Sequence, residues 1–126
     1  MHRSRLGGFI IDCKTDDLEA AAGFWAAALG YKTRHIENPH SGSYVVFDTA
    51  PNELDIEVQK VEHQSRVHID IETDNIEAEV ERLETLGAKR VAKTRSWWVM
   101  EAPTGQRFCV VNPKRSEFET EANVWE

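Results

Sequence analysis

One block of this sequence occurs twice, and that constrains the fold more than any other feature. Asp16-Asp17-Leu18-Glu19-Ala20 returns as Asp74-Asn75-Ile76-Glu77-Ala78, with position 16 answered at 74. Leu29-Gly30 returns as Leu86-Gly87. Each block reads as one helix with the same start and stop. Asp16 and Asp74 are expected to cap the free N–H groups of the first turn. Glu19 and Glu77, three residues on, would close a capping box. Gly30 and Gly87 suit the left-handed position that ends a helix.

The first helix is expected to bury Leu18, Ala21, Trp25, Ala28 and Leu29, and the second Ile76, Val80, Leu83 and Leu86, at amphipathic spacing. Glu77, Glu81, Arg82 and Glu84 form a solvated face on the second. Strand patterns surround each helix: Phe9 to Cys13, then Tyr31 to Ile36, Ser43 to Thr49 and Leu54 to Val61 around the first. Val67 to Thr73, Lys89 to Thr94, Trp97 to Glu101 and Arg107 to Val111 surround the second. Turn signals at Asn38-Pro39, Pro51-Asn52 and Pro103-Thr104-Gly105 separate them.

Each half is thus β-α-β-β-β, over about residues 6–61 and 65–112, with no flexible linker at Gln64-Ser65. The expected fold class is α+β: a single domain over residues 1–112, whose two tandem modules form a curved mixed sheet around a central cleft with the helices outside. Residues 113–126 carry Phe118, Val124 and Trp125 among Glu117, Glu119 and Glu121. They read as an acidic tail or as an arm packing on a partner subunit.

Two strands indicate the functional face. Val67, Ile69 and Ile71 alternate with His68, Asp70 and Glu72, and Leu54, Ile56 and Val58 alternate with Asp55, Glu57 and Gln59. Successive strand side chains point to opposite faces, so an apolar set packing on the helices leaves a polar set on the other side. Asp12, Asp70 and Glu57 are candidates for an acid–base group of close carboxylates, unless cations such as Arg107 pair with them. Trp97 and Trp98 are adjacent, so one faces the helices. Trp98 is taken as the cleft-facing one, able with Tyr44 to stack on a flat ligand. His35, His40 and His63 fall in turns or at strand ends and receive no role.

Charge excludes some partners. The chain has 15 Lys and Arg against 22 Asp and Glu, a net of −7. It gains little from neutralising a phosphate backbone or an anionic membrane surface, so no nucleic acid and no membrane partner is expected. No apolar run reaches the ~20 residues of a membrane helix. The start of the sequence lacks the apolar stretch of a signal peptide. Cys13 and Cys109 form no disulfide framework, which fits a reducing, cytoplasmic setting.

Asp17-Leu18-Glu19, Phe24-Trp25 and Leu29-Gly30-Tyr31 resemble the first module of the vicinal oxygen chelate superfamily, the glyoxalase and bleomycin-resistance proteins. The run from Val67 to Ile76 is similar to their second-module strand and helix start. Ala102-Pro103-Thr104-Gly105-Gln106 followed by Arg107 to Val111 resembles their closing turn and last strand. Asp12, the Trp pair and Phe108-Cys109-Val110-Val111 look most like the glyoxalase-like domain branch. The resemblance implies a small-molecule ligand in the cleft and a homodimer, which is also the default oligomer.

Metal-dependent members of that superfamily hold a divalent ion with one residue from each of four strands. Carried over, the first position falls on Ile10, or on Phe9 if the loop is one residue longer. The others fall on Glu57, with Gln59 beside it, on His68 and on Cys109, with Asp12 a substitute on the face of Ile10. His68 and Glu57 are the implied metal ligands, and Zn, Ni, Mn or Fe the implied ions. Cys109 as a thiolate would suit Zn, and as a thiol would be a small hydrophobe.

Three functions follow as expectations. The first is a small-molecule binding protein without the standard four-ligand set, contacting its ligand through Asp12, Tyr44, Glu57, Gln59, His68, Asp70, Trp98, Arg107 and Cys109. The second is a metal-dependent lyase, isomerase or dioxygenase acting on vicinal oxygens. The third is an interaction module assembled through its tail.

Overall fold

The computed structural model describes residues 1–34, 43–50, 53–114 and 117–126. The turns expected at Asn38-Pro39 and Pro51-Asn52, and the positions of His35 and His40, lie outside them. The fold is α+β. The chain divides into two compact units, one of residues 8–67 and one of residues 1–7 with 68–126. No helix among the described residues is long and apolar enough to cross a membrane.

The 8–67 unit contains β1 (His2–Lys14) from Gly8 onward, α1 (Leu18–Leu29), β2 (Thr33–Arg34), β3 (Tyr44–Phe47) and β4 (Asp55–Val61). The strand order is β2-β3-β4-β1. β1 runs parallel to β4, and the other pairs are antiparallel. Gly8 lies opposite Asp55, and a Cβ there would come 2.2 Å from the Asp55 carbonyl oxygen. Only glycine permits that approach. Ile11, Ala22, Phe47 and Val58 form the core, with Leu18, Ala21, Trp25, Ala26 and Ile56 against it. Ala28 and Leu29, expected on the packed face of α1, are exposed, and Ala22 and Ala26 take their place.

The second unit repeats the order. It holds β5 (Arg66–Thr73) from His68 onward, α2 (Ile76–Thr85), β6 (Lys89–Thr94), β7 (Trp97–Glu101) and β8 (Arg107–Val111), arranged β5-β8-β7-β6. Here β5 is parallel to β8 and the rest are antiparallel. Val80, Leu83, Met100, Phe108 and Val110 form its core, with Ile71, Ile76 and Trp98 packed against it. Val67 and Ile69, expected to pack on the helix side with Ile71, are 59% and 38% exposed. Leu86 is exposed as well. α2 packs on β6, β7 and β8, so its cover favours that side of the sheet and only the Ile71 end of β5 joins the core.

Both helices are capped one residue later than the repeated Asp suggests. Asp17 accepts from Ala20 N, and Asn75 from Ala78 N. Asp16 is left outside the first helix, and Asp74 is engaged elsewhere, accepting from Arg3 N at 2.8 Å. At the other ends Gly30 and Gly87 do adopt positive φ, 78° and 110°.

The segment expected to be a free tail or a partner arm folds onto its own unit. After α3 (Phe118–Glu121), β9 (Asn123–Trp125) pairs antiparallel with His2, Arg3 and Ser4 of β1. The Trp125 indole N–H donates to Ser4 Oγ at 2.8 Å, and the Arg82 guanidinium stacks on its ring at 3.9 Å. Arg82 in turn donates two hydrogen bonds to Glu79, a fully buried residue that also contacts His2 Nε2 at 2.8 Å. Burial favours the neutral form of Glu79. Hydrogen bonds from Arg82, His2 and Ser4 outweigh that and hold its carboxyl below the usual value.

Candidate functional site

Residues opposite one another across a ladder share a face, so strand register sets the composition of each open face. In the 8–67 unit, Asp12 lies beside Gln59, and Gln59 beside Tyr44. The row above it is Ile10, Glu57 and Val46. The alternate residues Ile11, Ile56 and Val58 pack with α1. Asp12, Tyr44, Glu57 and Gln59 therefore share the face turned away from α1, as their alternation implied. Asp12 and Glu57 are both buried, and Asp12 Oδ2 lies 3.7 Å from Arg66 Nε. Ile10 is also buried here and offers no donor atom.

Cys13 faces the opposite way, into the α1 core. Burial and the nearby Asp12 charge push its thiol pKa up, and it donates to the Ile11 carbonyl. It is a packing residue.

In the second unit, Asp70 lies beside Cys109, and Cys109 beside Val99. His68 is two residues before Asp70 on β5 and so on the same face. Donor atoms of His68, Asp70 and Cys109 all lie within 4.8 Å of one another. Two strands supply all three. Asp70 Oδ1 is 3.3 Å from His68 Nε2, and Oδ2 is 3.8 Å from Lys114 Nζ. Oδ1 is buried but accepts no aligned hydrogen bond, so the histidine contact is one of proximity. Lys114 was not expected in this role. It follows β8, where no periodic pattern singles it out.

Glu72, next on this face, is occupied structurally. It accepts from Arg5 Nε at 2.5 Å and from the Lys114 backbone N–H at 3.3 Å. Arg107 pairs with Glu101 at 3.0 Å. The cations beside Asp12 and Asp70 are Arg66 and Lys114 instead.

The assignment of Trp98 is corrected. It lies opposite Val110 and packs with the core against α2. Trp97, one residue earlier, shares the face of Val99 and Cys109. The two tryptophans were indistinguishable by type. The register was set by Met100, which shares the buried side with Trp98 and Phe108 and is fully buried.

Two successive β-α-β-β-β units with this strand order, each turning a polar face away from its helix, define a class of proteins. The model of the glyoxalase-like domain matches residues 8–111, and the chain belongs to that family. It is similar in structure to methylmalonyl-CoA epimerase from Mycobacterium tuberculosis, at 15% identity and a TM-score of 0.64, over 86% of this chain and 87% of that one. A hypothetical protein from Bacillus halodurans C-125 matches at 14% identity and a TM-score of 0.62, over 90% of this chain and 98% of that one. A methylmalonyl-CoA epimerase from Streptomyces coelicolor matches at 16% and 0.59, over 87% and 98%. Identities this low carry the fold of the vicinal oxygen chelate proteins and not their substrates. No curated protein matches the sequence significantly.

Proposed function

We propose that the chain is a glyoxalase-like protein that binds a small molecule against the open face of its sheet, without the four-strand metal set of its superfamily. The observation that carries this reading is the convergence of His68, Asp70 and Cys109 within 4.8 Å on the face turned away from α2. Clustered polar groups of different chemistry on one face are what a small-molecule site uses to orient its ligand. A four-strand metal set does not fit, because the first-strand position is Ile10, an apolar and buried side chain. Asp70 supplies an acceptor beside the His68 imidazole and the Cys109 thiol. The ligand consistent with these groups is a small oxygenated molecule with a carbonyl or hydroxyl.

A second reading is favoured by the same three residues. Imidazole, carboxylate and thiolate together suit a borderline-soft divalent ion of the zinc type. His68, Asp70 and Cys109 would hold it. When bound it would polarise a ligand oxygen as a Lewis acid. On this reading the chain is a metal-dependent lyase, isomerase or dioxygenase.

One experiment separates the two. The untagged protein, purified without chelator, is analysed for metals and titrated with Mn, Ni, Zn and Fe(II). Oxygenated small molecules are then screened by thermal shift, with and without metal. The first reading expects a stabilising ligand in the absence of metal. At about 100 times Kd, stabilisation is ~2.7 kcal/mol, a rise of roughly 10 °C for a chain of this size. His68→Ala should remove it. One tight ion per chain, lost in His68→Ala and Cys109→Ala, would establish the second reading instead. A homodimer is proposed as the assembly, to be read from mass in solution.

A further inference from the structure

The hairpin of β6 and β7 is basic within an acidic chain. Residues 89–97 include Lys89, Arg90, Lys93 and Arg95 and no acid, against a net charge of −7 overall. Arg90 is neutralised internally by Glu77 at 2.8 Å and Glu84 at 3.0 Å. Lys93 and Arg95 are exposed and have no ion-pair partner among the described residues. Lysines on the outermost strand also discourage strand addition, so Lys93 alone would mean little. Arg95 has no such reason to be there.

Thr94 pairs with Trp97, so Arg95-Ser96 is a two-residue hairpin loop. Such loops demand positive φ and normally take Gly, Asn or Asp. Here Arg95 adopts φ 53°, alone among the described non-glycine residues. A side chain kept where the backbone disfavours it points to a use for that side chain. Its guanidinium lies 6.0 Å from the Trp97 ring centroid. Trp97 is half-buried, on the sheet face that carries Asp70 and Cys109. Along β7 it stands one side-chain step, about 7 Å, from the Val99–Cys109–Asp70 row, towards the tip.

We infer that this tip sets the charge class of the ligand: Arg95 takes the carboxylate or phosphate of a small planar anion whose ring stacks on Trp97. The inference rests on the proposed binding of a small molecule to the open face and narrows it to aromatic or conjugated anions. The forked guanidinium matches a carboxylate or phosphate, and the indole offers a flat apolar surface. The charge also attracts anions to a molecule that otherwise repels them, so affinity should fall as salt rises.

The test uses the full chain labelled with 15N and four probes: benzoate, phenyl phosphate, benzyl alcohol and inorganic phosphate. The Trp97 indole N–H signal, identified by its loss in Trp97→Phe, reports on the tip. The His68 and Cys109 amide signals report on the rest of the face. Arg95→Gly removes the cation and relieves the turn, so the fold is retained. Benzoate and phenyl phosphate are expected to move the Trp97 signal and to bind about tenfold more weakly to Arg95→Gly, the scale of one hydrogen bond to a charged group. Benzyl alcohol and inorganic phosphate, each lacking one half of the ligand, should bind at least tenfold more weakly than benzoate. Equal binding by Arg95→Gly, or benzyl alcohol binding as well as benzoate, overturns the inference. Movement of His68 and Cys109 without Trp97 overturns it and leaves the small-molecule reading standing. No movement of any of these signals overturns it too, and with an empty thermal-shift screen it overturns both.

Discussion

The two units build the same strand order from different chemistry. In the 8–67 unit the row across the open face reads Asp12, Gln59, Tyr44. In the other it reads Asp70, Cys109, Val99. Each row begins with a buried aspartate two residues past a distinct side chain, Ile10 in one and His68 in the other. The first row offers oxygen and amide groups. The second adds a thiol, and with His68 gathers nitrogen, oxygen and sulfur donors within 4.8 Å. A scaffold fixed by its repeat has kept the aspartate in both copies, and its reactive groups gather in the second. The chemistry is therefore expected to be unequal between the units.

The largest effect should come from glycine at the middle of β1. Gly8→Ala places a Cβ 2.2 Å from the Asp55 carbonyl oxygen, a backbone clash that rotamers cannot relieve. We expect loss of several kcal/mol or failure to fold, read by urea unfolding. The neighbouring Gly7→Ala meets only the Glu72 side chain, at 3.1 Å, and should cost about 1 kcal/mol or less. Equal effects would mean that β1 shifts freely against β4.

Next is the core of each unit. Phe47→Ala and Met100→Ala, at fully buried positions, should cost about 3–5 and 2–5 kcal/mol. If the units unfold separately, each variant moves one transition in a melt. If they unfold together, both move the same one.

Glu79 should give the second unit an acid sensitivity. Its folded carboxyl titrates below the unfolded one, so its contribution is complete above the usual glutamate range. As pH falls from there through the lowered folded value, that contribution is lost. Glu79→Gln should flatten the acid limb of the stability–pH profile, and an unchanged slope would rule the residue out as its source.

The smallest effects are local. Trp125→Ala removes the stack on Arg82 and the bond to Ser4, and should cost about 1–2 kcal/mol. It should leave mass in solution unchanged, because the segment folds on its own unit. Arg34→Ala, which breaks the exposed pair with Asp48 at 3.1 Å, should cost under ~1 kcal/mol.

Much of this was legible from the sequence, for physical reasons that also mark where reading fails. The repeated cap, helix and glycine gave the unit order, and strict alternation in Leu54 to Gln59 placed Glu57 and Gln59 on the open face. Alternation misled at Val67 and Ile69. Their parity was right, but α2 does not extend over them. The Trp97-Trp98 pair was undecidable without register, because both side chains are apolar enough for either face. The caps slipped by one residue because Asp16-Asp17 and Asp74-Asn75 each offer two suitable side chains in succession. The structured segment of residues 117–126 was obscured by its acids, which face solvent while Phe118 and Trp125 pack. The His68–Asp70–Cys109 cluster required knowing which residue of β8 lies beside Asp70, a long-range pairing with no local signature.

The pairing of His2, Arg3 and Ser4 with Asn123, Val124 and Trp125 has a consequence for how the chain is made. The 8–67 unit is one continuous stretch and is complete while synthesis is still under way. The other unit draws residues 1–7 from one side of that stretch and β9 from the far side, at residues 123–125. Its opening residues must therefore wait, unpaired on β9, until residue 125 has cleared the ribosome. A nascent chain stalled at residue 112 should accordingly carry a protease-resistant 8–67 unit and a cleavable amino-terminal segment.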